Sequence, residues 1–162
     1  MKLAQAIKKG FTLIELLVVI GILAILLAIT LIAINPAKQF QQANDTKRTS
    51  DVNAILNAVG QYAADNNGDL PPGVAADGVA REINGAATPA TTTGVAFCQA
   101  LVPEYIASMP VDPTLNNGTA ITEAGCAAVG YDTNYTISSS ATNNRVTVHA
   151  DGQIAGSIDV TR

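Results

Sequence analysis

The sequence predicts an α+β fold in which a long N-terminal helix, half membrane-length and half amphipathic, packs on a small antiparallel β-sheet head. Three observations predict it. The run Leu16–Ile34 is apolar over 19 residues, broken only by Gly21 and Thr30. Val52, Ile55, Leu56, Val59, Tyr62 and Ala63 then recur at spacings of three and four, which is one stripe of a helix. In the last third Tyr131, Thr133, Tyr135 and Ile137 alternate, as do Val146 and Val148, with the period of half-buried strands.

Met1–Lys9 is a short basic leader, with Lys2, Lys8 and Lys9 and no acid. Its charge is expected to hold the N-terminus in the cytoplasm and send the C-terminus across the membrane. At ~1.5 Å per residue the apolar run gives roughly 28 Å, against a hydrocarbon core of ~30 Å. Glu15 stands at the mouth of that run, where an acidic side chain at mid-bilayer costs ~3 kcal/mol. A secretory signal has a shorter apolar core ending at small residues, and a plain anchor explains neither Glu15 nor the Lys8-Lys9-Gly10-Phe11 junction. Pro36 removes a helical hydrogen bond to Ile32 and crowds its carbonyl, so a kink or local melting is expected there.

Beyond Pro36 the helix turns amphipathic. Asp45 with Arg48, and Lys47 with Asp51, read as helix-surface pairs worth a few tenths of a kcal/mol each. Asn66-Asn67-Gly68 and Leu70-Pro71-Pro72-Gly73 stop the helix, which then runs from about Phe11 to Asn66, ~80 Å. Gly73–Gly94 reads as a long loop, followed by a short helix around Ala96–Val102 or Glu104–Ala107 and a turn at Asn116-Asn117-Gly118. Ile154, Ile158 and Val160 share one face of a third strand. A three-residue loop, Asp151-Gly152-Gln153, or a bulge, would pair Ala150 with Ile154 and keep the apolar faces together. The organisation is therefore a basic leader, 1–10, an apolar transmembrane helix, 11–35, and a head, 36–162. The head divides into an amphipathic helix, 36–67, a loop region, 68–130, and a β-meander, 131–162.

Composition narrows the chemistry. The formal net charge is −4, and loss of the three leader lysines takes it to −7. With only Lys38, Lys47 and Arg48 near one another, no nucleic-acid partner is expected. Cys98 and Cys126 both fall in the part sent across the membrane, where disulfides form. A bond between them is favoured over two unrelated buried thiols. Two cysteines and the single His149 do not complete a zinc set. Asp65–Asp69 lacks the glycine and the bidentate acid of an EF-hand at Leu70 and Ala76. Asp132, Asp151 and Asp159 could meet in space as a calcium site, but their spacing matches no known loop. No catalytic triad or phosphate loop is present, and neither enzyme activity nor a cofactor or metal is expected. Asn44, Asn117 and Asn134 head N-glycosylation patterns that also recur by chance.

The stretch Lys8-Lys9-Gly10-Phe11-Thr12-Leu13-Ile14-Glu15-Leu16-Leu17 resembles the class III signal of type IV pilins and pseudopilins. Tyr62–Pro71 and Tyr105–Pro113 are similar to further segments of that family, and a helix-breaking proline is common near Pro36. The resemblance implies cleavage after Gly10 by a prepilin peptidase, methylation of the new N-terminal Phe11, and a role for Glu15 in assembly, paired with a neighbouring subunit's N-terminus. It implies a pilin: a precursor in the cytoplasmic membrane, surrounded by lipid, that polymerises with copies of itself through pilus assembly machinery into an extracellular filament. The alternatives are a pseudopilin of a type II secretion system and a single-pass anchored binding domain.

Overall fold

The computed structural model describes residues 10–86 and 91–162; the leader up to Lys9 and residues 87–90 of the Thr-rich loop lie outside them. The α+β class holds. Helix α1, Leu13–Ile34, is followed by α2, Pro36–Asp65, and then by β1, Arg81–Asn84. The short helices α3, Val95–Leu101, and α4, Glu123–Cys126, precede three strands: β2, Asp132–Ser139, β3, Val146–Asp151, and β4, Ser157–Thr161. The chain divides into two compact units, one ending at Phe40 and one from Gln41 to Arg162.

The helical stretch is interrupted at Asn35. That residue adopts a left-handed conformation, φ 45° and ψ 77°, and ends α1. Pro36 then opens α2, at the one helical position where its missing N–H costs nothing. The Asn35 carbonyl accepts from Lys38 and Gln39, and its side-chain oxygen accepts from Lys38. The kink expected at Pro36 thus falls one residue before the proline, and it divides the long helical stretch into α1 and α2. At the far end, Asn67 and Gly68 turn left-handed, and Gly68 donates to Ala63 to close α2.

In the second unit the sheet has the order β1-β2-β3-β4, antiparallel throughout. The apolar stripe of α2 and the alternating residues of β2 and β3 meet in one core, in which Val52, Ile55, Val59, Tyr135, Ile137 and Val148 are all buried. Strand β1 lies inside the segment read as loop. Arg-Glu-Ile-Asn carries one apolar residue and a register shift, so no alternation announces it. Its outer edge is covered by residues 91–93, with Glu82 donating to Thr91 and accepting from Thr93.

The β3–β4 connection is also corrected. Ala150 pairs with Ile158 and Val148 with Val160, leaving a five-residue loop, 152–156, with Ile154 exposed at its tip. The three-residue reading relied on local pairing, and what shapes this loop is a distant carboxylate. Of the two short-helix positions, Val95–Leu101 is helical. Glu104–Ala107 is not, and α3 ends at Val102, which stands ahead of Pro103 and is driven to extended backbone.

Candidate functional site

The Gly10–Phe11 junction is open. Gly10 has free space around it, and Phe11 is 83% exposed. Two residues on, Thr12 caps α1 through a reciprocal box. Its hydroxyl accepts from the Glu15 amide at 3.3 Å, and one Glu15 carboxylate oxygen accepts the Thr12 amide at 2.9 Å and its hydroxyl at 2.8 Å. The Thr-x-x-Glu pattern that announces such a box is present in the sequence at Thr12–Glu15. Glu15 sits in the first turn of α1, where the helix dipole favours a negative charge. It is the only charged residue of that helix.

No residue of α1 is buried within the chain, and a mean hydropathy of 3.3 over an 18-residue window of this 22-residue helix suits a membrane span. A helix apolar on every side has to find surroundings other than water, either lipid or other apolar protein surface. Residues 6–31 match the family model of the prokaryotic N-terminal methylation motif. The chain carries a class III signal. With the apolar helix, this signal fits a type IV pilin or pseudopilin: a membrane-anchored precursor of a structural kind of protein, handled by a prepilin peptidase and pilus-type assembly machinery. No curated protein and no solved structure matches the chain.

The head is tied together by charges that the sequence reading placed on a helix surface. Arg48 is 3% exposed. Its Nε and Nη2 donate to the two oxygens of buried Asp112 at 2.7 and 3.0 Å, and Nη1 donates to Asp45 at 2.9 Å. Asp45 in turn accepts the backbone amides of Gln153, Ile154 and Ala155 at 2.8, 2.8 and 3.2 Å. The Gln153 amide does most to hold the Asp45 carboxyl down to about 2, against the opposing effect of burial, with the other two amides and Arg48 adding to it. Burial would raise Asp112, but Arg48 and both donors of Thr114 outweigh it and keep it below the usual carboxylate range. Lys47 bonds Asp51, which also accepts the Tyr135 hydroxyl.

Cys98 and Cys126 are bonded and wholly buried, joining α3 to α4 across a sequence separation of 28. Closing a loop of that size restricts the unfolded chain by roughly 3–4 kcal/mol. Cys98→Ala with Cys126→Ala should lower the head's melting temperature by several degrees, read by calorimetry, while precursor processing continues. Free thiols at both positions in peptide maps of the native chain would refute the bond.

The aspartates considered for calcium do other work. Asp159 and Asp151 flank His149 at 2.8 and 3.3 Å, and Asp132 accepts the amide of Asn134. Among the described residues, no group of three His, Cys, Asp or Glu is placed to hold a metal ion. The head should therefore melt at the same temperature with and without EDTA, and a drop of several degrees would overturn this.

Proposed function

We propose that this chain is the structural subunit of a type IV pilus. The observation that carries the reading is a class III signal on a helix that buries nothing within its own chain. In this reading the peptidase cuts the exposed Gly10–Phe11 bond and Phe11 is methylated. The helices leave the lipid side by side, each taking its neighbours' apolar surfaces in place of acyl chains. Glu15 pairs with the Phe11 ammonium of the next subunit, and the Asn35–Pro36 break is the point at which the helical stretch can yield. The heads form the outer layer.

Intact-mass analysis of sheared surface filaments tests this. The subunit should begin at Phe11 and be about 14 Da heavier for one methyl group replacing a hydrogen, an increment set by the chemistry of methylation. A subunit that begins at Met1 or beyond Ile34 sinks the reading. Filaments confined to the periplasm would favour the pseudopilin.

A further inference from the structure

On the reading that this chain polymerises, we infer that its heads stack by inserting the Ile154 loop of one copy into an apolar groove of the next. The groove belongs to the second unit and has a volume of about 710 Å³. Its buried lining is apolar, with Leu56 and Val59 of α2 and Val146 of β3, and Val74 adds a half-buried flank. No buried polar side chain lines it that would orient a small polar ligand, which sets it apart from an ordinary ligand site. Gly60 and Arg162 also border it.

The matching projection is the loop 152–156. Asp45 takes three successive amides of this loop, and Arg48 fixes Asp45, so the tip is held in one conformation before anything binds. A pre-ordered loop binds without the entropic cost of ordering it. What it presents is Ile154, an aliphatic side chain left 48% exposed.

Two further observations assign the occupant to a second copy. The loop is anchored at Asp45, while the groove is formed by Leu56 to Gly60 of the same helix. They are therefore roughly 17–22 Å apart along its axis at ~1.5 Å per residue, so a chain's own loop does not reach its own groove. Charge offers one matched pair, Asp151 with Arg162, on a rim that also carries the Asp69 carboxylate. Beside Ile154, the Asp151 side chain is 88% exposed. Beside the groove, the Arg162 guanidinium donates to Asn57 and forms no salt bridge among the described residues. A projection and a socket at different places on one chain form a heterologous contact, and repetition of such a contact yields an open helical array rather than a closed pair.

Cysteine pairing in the full-length chain, in cells that assemble it, tests the contact. Ile154→Cys with Gly60→Cys places a thiol on each side; Gly60 is exposed, and its Cβ would meet nothing within 4 Å. With a short thiol–thiol cross-linker, filaments of the double variant should give a ladder of dimers, trimers and higher multimers on denaturing gels. Each single variant should stay monomeric. Val129→Cys with Gly60→Cys is the control, because Val129 is exposed and apolar but lies outside the loop. Intact filaments that yield only monomer from the Ile154 pair overturn the inference, as does a ladder of equal strength from the Val129 pair. Dimers from Gly60→Cys alone would mean that groove faces groove, which also overturns it. Wild-type cells without filaments would overturn the filament reading itself, and this inference with it.

Discussion

Glu15→Ala should insert, be processed and fold its head, yet reduce surface filaments at least tenfold. The same carboxylate faces different demands before and after assembly. In the single chain it is already satisfied, taking the Thr12 amide and hydroxyl at the start of α1. Losing that cap costs about 1 kcal/mol, little for a 22-residue helix held by its apolar surroundings. Among packed helices the surroundings become Leu, Ile and Val, and an unpaired carboxylate there costs several kcal/mol. In the proposed filament, the cation at that depth would be the Phe11 ammonium of a neighbouring copy. Lys38 is the next along the sequence, beyond the end of α1. Pairing the two favours one axial register, since a shifted subunit leaves both charges unmatched. Alanine removes the selection while leaving the helix and the head alone. Electron microscopy of filaments beside immunoblots of the membrane fraction reads both effects. Normal filaments at normal precursor levels would give the carboxylate another purpose.

What the sequence made legible follows from how far each interaction reaches along the chain. The apolar run, the basic leader and the Gly10–Phe11 junction are contiguous, so composition alone locates them. The amphipathic stripe of α2 and the alternation in β2 and β3 are periodic, and the core forms where those periods predict. Strand β1 escaped because its pairing with β2 is set by a partner some fifty residues away, as in the Thr133 hydroxyl bond to the Ile83 carbonyl. The β3–β4 loop escaped for a related reason. Gly152 and Gly156 suggest a tight turn, whereas Asp45, more than a hundred residues earlier, fixes a longer one. Spacing on the helix revealed that Asp45 and Arg48 are neighbours. That they are buried depends on Asp112, separated from Arg48 by 64 residues. The capping box at Thr12 is local by contrast, with both partners three residues apart.

Arg48→Ala should be among the most destabilising changes available in the head, costing about 3–5 kcal/mol, because it strands two carboxylates where water does not reach them well. Asp112 is fully buried and would lose both of its guanidinium bonds, and Asp45 would keep only the loop amides. Changing Arg48 and Asp112 together to Met and Leu should cost less than the two single losses combined, since fully buried Asp112 is then not left as a charge without its cation and only Asp45, which keeps the loop amides, loses Arg48. The same network predicts the acid limit of the fold. Folded Asp45 holds its proton off down to about 2, and Asp112 is also lowered, whereas both take up protons at ordinary carboxylate pH when unfolded. The unfolded chain therefore binds more protons between about pH 4 and pH 2. The contribution is fully present above that window and is lost as pH falls through it. Denaturation of the detergent-solubilised chain followed across this range should show stability falling steeply, and Asp45→Asn should flatten the fall. A wild-type curve that stays level from pH 5 to pH 2 would mean that these carboxylates are not held as the Arg48 geometry requires.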